Sequence, residues 1–97
     1  MATNYQRGVY AERKCMAALR EYGFSVVRTA GSHGPFDVIA WCESGAMFIQ
    51  VKRSNKKRKP SKKERDDIKA EAVPDNCSKE LWIYQTGIKE PIVWRID

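Results

Sequence analysis

One histidine, His33, is all the sequence has, and its three cysteines, Cys15, Cys42 and Cys77, are an odd set with no CxxC pair. The spacing that zinc ligands need is therefore absent, and a disulfide framework is not expected. Free thiols in such a chain suit a reducing cytoplasm. Long apolar runs are missing too. The longest, Val38 to Cys42, is far too short to span a bilayer, and no charged-then-apolar leader opens the chain, so no membrane role is expected. Acids are in short supply, 12 against 18 Lys and Arg, which leaves a net charge of +6. That balance favours an anionic partner, of which nucleic acid is the commonest. No internal repeat divides the chain. At 97 residues, with 42% apolar and 31% charged residues, residues 1–97 read as one small globular domain with a modest core.

Half of the cations fall in one window. Between Lys52 and Arg65 there are nine Lys or Arg and one acid, Glu64. The window, at about 52–65, is either a solvated loop or an arm that contacts phosphates, where each neutralised phosphate adds salt-sensitive affinity. It holds no base-reading motif, so it suits backbone contact rather than sequence readout.

Thr3-Asn4-Tyr5-Gln6 predicts a helix start with a capping box, and Gly23 a stop just after Tyr22. One face of this helix reads Tyr5, Val9, Glu12, Met16, Leu19 at spacings of four and three. Glu12 is the exception among apolar residues. A buried unpaired charge costs roughly several kcal/mol, so Glu12 either pairs with a basic side chain at the core's edge or serves a function. Strands are expected over 24–29, 37–41 and 46–52. The basic window follows, then a second helix from the Ser61–Glu64 capping box to about Val73, where Pro74 stops it. Its apolar face is thin: Ile68, Ala72 and Val73. Leu81 to Tyr84 and Ile92 to Ile96 complete an α-β-β-β-α-β-β order. Trp41, Trp82 and Trp94 fall in strands at core-like positions, although the last two also suit an interface.

The segment "FDVIAWCESGAMFIQVK" predicts a hairpin turning over Cys42 to Gly45, with Trp41 opposite Ala46. That register places Ile39 opposite Phe48 and Asp37 opposite Gln50, with Lys52 on the same face. An acid, an amide oxygen and an ammonium group meet at the hairpin's open end. They form either a plain polar edge or a site for metal-assisted phosphodiester chemistry. In the second reading Asp37 and Gln50 offer hard oxygen ligands to Mg²⁺. The metal activates a water and offsets phosphoryl charge, while Lys52 orients the water or stabilises the developing charge.

"FDVIAW" followed by "FIQVK" resembles the PD-(D/E)XK nuclease signature, with Phe36 in place of the usual proline and Gln50-Val51-Lys52 in the (D/E)XK positions. "RGVYAER", from Arg7 to Arg13, resembles the opening helix of archaeal-type Holliday junction resolvases, and "GFSVVRTAGS", from Gly23 to Ser32, their next segment. The likeness runs in order from Arg7 to Lys52. It implies an α/β, restriction-endonuclease-like fold, a central mixed β-sheet flanked by helices. It implies a Mg²⁺-dependent endodeoxyribonuclease, with Mn²⁺ as a substitute, that resolves branched DNA as a homodimer. It further implies a cytoplasmic, nucleoid-associated protein of prokaryotic or viral origin. By the same resemblance Asp37, Gln50 and Glu12 hold the metal, and Lys52 and Ser32 complete the catalytic set. Arg7, Arg13 and Arg28 meet DNA beside the window's Arg53, Lys56, Lys57, Arg58, Lys59, Lys62 and Lys63. Gln50 stands where the family usually has a glutamate. The loop from Ser32 to Asp37 is shorter than the family's. Two alternatives accompany the junction resolvase: a nicking, flap or end-processing nuclease with the same site, and a non-catalytic module that binds branched DNA. A small RNA-binding protein is disfavoured, because no aromatic RNA-reading motif is present.

Overall fold

In the computed structural model, residues 3–29 and 34–97 are described, apart from the side chains of residues 4, 5 and 7. Thr3 caps α1 (Asn4–Glu21), and the reciprocal Thr3–Gln6 hydrogen bonds form the expected capping box. Gly23, at φ 91°, takes the left-handed turn that releases the chain from the helix. Then come β1 (Ser25–Arg28), β2 (Val38–Cys42), β3 (Gly45–Ser54), α2 (Lys62–Ala70), β4 (Cys77–Gln85) and β5 (Ile92–Arg95). The sheet order is β1-β2-β3-β4-β5. All neighbours are antiparallel except β3 and β4, which are parallel. A parallel pair cannot be joined by a tight turn. The basic window and α2 supply the crossover.

Hairpin register follows the turn. Cys42 pairs with Gly45, Trp41 with Ala46 and Ile39 with Phe48. Gly45 sits at φ 143°, and a Cβ there would lie 2.6 Å from the carbonyl oxygen of Asn76, so only glycine lets β4 begin this close to the turn.

The pleat divides the sheet into two faces. Val38, Ala40, Ile49, Val51, Trp82 and Tyr84 pack under Ala11, Cys15 and Leu19 of α1. The buried line of α1 is therefore one step around from the expected stripe. Small residues at 11 and 15 let the helix lie close to the sheet, and Val9, Glu12 and Met16 fall at its half-buried flank. On the other face Ile68 joins Leu81, Ile83 and Ile96, with Phe36 and Trp94 against them.

Three expectations need correcting. α2 ends at Ala70 rather than near Val73, so Ala72 and Val73 lie outside it and Ile68 is its one buried residue. β4 begins four residues earlier than its apolar run, because Cys77 to Glu80 pair with Ala46 to Ile49 through their backbones. Trp41 is half-exposed, unlike the buried Trp82. No helix among the described residues is long and apolar enough to cross a membrane.

Candidate active site

Because β1, β3 and β4 run in one direction, their carboxyl ends share one edge of the sheet, where β2 begins. Arg28, Lys52 to Ser54, and Gln85 end their strands there, and Asp37 sits just before β2. The residues that carry chemistry in the hairpin are thus gathered by topology, not by nearness in sequence.

Asp37 is fixed on three sides. Its N–H donates to Ile49 O at 2.8 Å and its carbonyl accepts from Thr29 N–H at 2.9 Å. Its Oδ2 accepts from Val51 N–H at 2.9 Å. Regular pairing stops at Val38–Ile49, one residue before the expected Asp37–Gln50 opposition. The ladder gives way there because the Asp37 carboxylate, rather than a backbone carbonyl of β2, occupies the Val51 N–H. Thr29 Oγ1 donates to Phe36 O at 2.9 Å, and Phe36 packs on Phe48 with ring centroids 5.4 Å apart, which anchors the approach to Asp37.

Burial pushes the Asp37 carboxyl above its ordinary value. The Val51 N–H pulls it back, the Glu12 charge raises it again, and Lys52 and Arg28 lower it. Asp37 therefore feels Glu12, Lys52 and Arg28 together. Glu12 is committed to Arg28, whose Nε donates to its Oε1 at 2.5 Å. Of the two readings left open for Glu12, the structure shows the basic partner at the core's edge, and the Glu12 charge also reaches Asp37.

Gln50 is the one buried polar residue outside the hydrophobic set, 8% exposed. Its Oε1 is buried and has no hydrogen-bond partner among the described residues. An orphaned carbonyl oxygen of this kind is costly, roughly 1–3 kcal/mol, unless something fills the place. An oxygen-seeking cation beside the Asp37 carboxylate is such a partner. Asp37 and Gln50 thus fit a hard divalent ion. No group of three His, Cys, Asp or Glu residues suited to a metal exists among the described residues.

With this site in view, the family comparison is specific. The profile described as archaeal Holliday junction resolvase (hjc) matches residues 3–71. The chain belongs to the archaeal Holliday junction resolvase family. The match takes in α1, the hairpin, the basic window and α2. The fold is similar to the 1.6 Å structure of Hjc, a Holliday junction resolvase of the hyperthermophile Archaeoglobus fulgidus. The TM-score is 0.72 at 18% identity, over 90% of this chain and 75% of that one. The restriction-endonuclease-like α/β fold expected from the sequence is thereby shown. No curated protein matches the chain.

As a member of the resolvase family, the chain deploys its cations unevenly. Arg58 is held by Glu64 through two hydrogen bonds of 2.8 and 2.9 Å. Lys62 and Lys63 bridge to Asp66 and Asp67 one turn on, at 2.8 and 2.9 Å. Arg53 donates to Thr86 Oγ1 at 2.7 Å. Lys56, Lys57 and Lys59 are exposed and carry no side-chain partner among the described residues, and Arg13 is likewise exposed on α1. The acids that hold Lys62 and Lys63 lie just beyond the window, which is why the window alone overstated its free charge. Ser32 lies outside the described residues, and so does the side chain of Arg7.

Sequence reasoning gave Lys79 no role. Its Nζ donates to Ile68 O, Lys69 O and Glu71 O at 3.1, 3.3 and 3.1 Å, closing the C-terminus of α2 from the neighbouring strand. Its neighbour Glu80 accepts from Trp82 Nε1 at 2.9 Å. No local signal marks either role, because both depend on the parallel pairing.

Proposed function

We propose that this chain is a divalent-metal-dependent endonuclease that cuts DNA at four-way junctions, with Mg²⁺ as the ion and Mn²⁺ as a substitute. The observation that carries this reading is the buried Gln50 oxygen, partnerless among the described residues, in the Ile49–Val51 stretch that Asp37 bonds on both sides, two residues before Lys52. Asp37 and Gln50 would hold the ion. When bound, it supplies Lewis-acid stabilisation of phosphoryl charge and a more acidic water. The half-buried carboxylate of Asp37, fixed by Val51 N–H, keeps its orientation without any ion. Lys52 places a cation that the Asp37 carboxyl already feels, suited to orienting the attacking water or to offsetting charge on a phosphoryl oxygen. Glu12 and Arg28 act as a pair, the acid toward the ion and the guanidinium toward a phosphate. Arg13 and the exposed Lys56, Lys57 and Lys59 supply further phosphate contacts, and Ser32 is assigned to the scissile region. Two copies would bring two such sites to the two strands that a junction resolvase must cut.

Cleavage of a four-way junction in Mg²⁺ tests the reading. Wild type is compared with Asp37→Ala, Glu12→Ala and Lys52→Ala, each expected to bind the junction and fail to cut it. If all three cut like wild type, the site assignment is wrong. Equal-length flap and duplex substrates separate a resolvase from a nicking or end-processing nuclease. Gel filtration with light scattering reports whether the chain is dimeric.

One observation favours a second reading. The absence of a three-acid cluster among the described residues suits a module that binds branched DNA without cutting it. That reading predicts junction binding with no cleavage by wild type in either Mg²⁺ or Mn²⁺.

A further inference from the structure

The outward face of α1 carries, besides Arg13, residues that the proposed site does not use. Gln6, Tyr10, Arg13 and Lys14 lie four, three and one residues apart, which sets them on one side of the helix. Tyr10, the one aromatic of α1 among the described side chains, is 51% exposed. It lines two grooves, the one residue common to both linings. One, about 320 Å³, runs from Tyr10 past Arg13 to Arg28. The other, about 220 Å³, runs from Tyr10 past Lys14 to Arg53. Neither groove is lined by an acid, although the chain holds 12 of them. Arg28 is the last residue of β1 and Arg53 the last but one of β3, so each groove has a lining residue at the sheet edge where Asp37 sits.

The geometry points to Tyr10 as a stacking platform for a nucleotide unstacked at the branch point, with the strands on either side of it lying in the two cationic grooves. The inference rests on the junction-binding reading above and names the residue that would read the branch. The chemistry selects the occupant. Two acid-free grooves ask for a polyanion, and a half-exposed phenol ring common to both asks for a flat π-surface at the point where the polyanion divides. An intact duplex keeps its bases stacked inside and offers Tyr10 nothing. A junction exposes base faces where its strands exchange. Tyr10 would therefore add affinity for the branch alone, while Arg13 and Lys14 would hold phosphates of any DNA.

The test uses a four-way junction carrying 2-aminopurine at the branch and a duplex of equal length. Both are titrated by anisotropy in EDTA, so that cleavage plays no part. Tyr10→Ala is expected to weaken junction binding about tenfold or more, the worth of one base–aromatic stack. Duplex binding should stay within about twofold, and the protein-induced change in 2-aminopurine emission should disappear. Tyr10→Phe keeps the ring and should behave as wild type. Lys14→Ala should weaken both DNAs alike and reduce the salt slope by about one. Thermal unfolding of each variant reports that the half-exposed position leaves the fold intact. A wild type that prefers the junction, with a Tyr10→Ala variant that keeps the preference, overturns this inference alone. Equal loss on junction and duplex does so too. A wild type without any preference for the junction overturns the function reading and this inference with it.

Discussion

Gln50→Glu restores the acid usual for the family and changes one thing, the charge at a buried position. The two side chains are nearly the same shape. Gln50 is 8% exposed, and Asp37 and Glu12 already bring negative charge to the site, partly offset by Lys52 and Arg28. A carboxyl placed there is desolvated and faces like charges, and both effects raise its pKa. Fully buried carboxyls rise by up to about 3–5 units. With two cations nearby, a rise of about 2 units is a reasonable scale, and at about 1.4 kcal/mol per unit the folded state loses roughly 3 kcal/mol. The sign follows from linkage. Near pH 4 the group is largely protonated in both folded and unfolded states, so little stability is lost. The loss grows as pH rises through the unfolded value of about 4.3 and levels off above the raised folded value. An ion that binds only the folded state, at about 100 times its Kd, returns about 2.7 kcal/mol. Urea unfolding at pH 7.5 in EDTA should therefore find the variant about 3 kcal/mol less stable than wild type. Excess Mg²⁺ also stabilises wild type, so it should narrow the deficit only by the variant's advantage in affinity, and at pH 4 the two proteins should nearly coincide. Cleavage by the variant should need less Mg²⁺. Equal stability in EDTA at pH 7.5 would show that the position is not desolvated as described. A deficit that Mg²⁺ leaves untouched would show that it does not face a cation.

Asp37→Asn should abolish cleavage yet raise stability at neutral pH, since a carboxyl with a raised folded pKa costs stability once ionised and Asn can still accept from Val51 N–H. Paired urea titrations at pH 7 and pH 3.5 check this, and the gain should vanish at the lower pH. Glu64→Gln keeps an acceptor for Ser61 N–H and loses the charge that Arg58 grips. The Arg58 guanidinium is the main cause that holds Glu64 at about 2, against 4.5 for a free carboxyl. The variant should lose about 1–2 kcal/mol at pH 7, a figure reduced for solvent screening. Because Glu64's folded value is depressed, the deficit should shrink as pH falls from 4.5 toward 2, which thermal unfolding across that range measures. Lys79→Met removes three donors from the end of α2 and should cost about 1–2 kcal/mol. Hydrogen exchange should show the loss concentrated in α2 amides, and wild-type protection there would count against the capping role.

Local chemistry made the hairpin and both helix starts legible. The Thr3–Gln6 and Ser61–Glu64 boxes are written within four residues each, and the short turn at Cys42 to Gly45 fixes the register beyond it. That register led to Asp37, Gln50 and Lys52, and the oddity of an acid near an apolar stripe led to Glu12. What escaped depends on pairing across the sheet. The polar start of β4, Ser78-Lys79-Glu80, looks like loop until Lys79 meets the end of α2 and Glu80 meets Trp82. The face of α1 was read one step off because Ala11 and Cys15 are less apolar than Val9 and Met16, while smallness is what close packing selected. The free charge of the window was overstated because its partners, Asp66 and Asp67, follow it by a single turn.

The parallel β3–β4 ladder also makes order in the arm a condition of the fold. Residues 55–76 must close into a crossover before Cys77 can find Ala46, and that closure loses chain entropy in a stretch where Lys56, Lys57 and Lys59, close in sequence, repel one another. Whatever screens those cations lightens the step. The polyanion that the arm is suited to grip would therefore also help complete the sheet, so that substrate and fold are linked through the same stretch of chain.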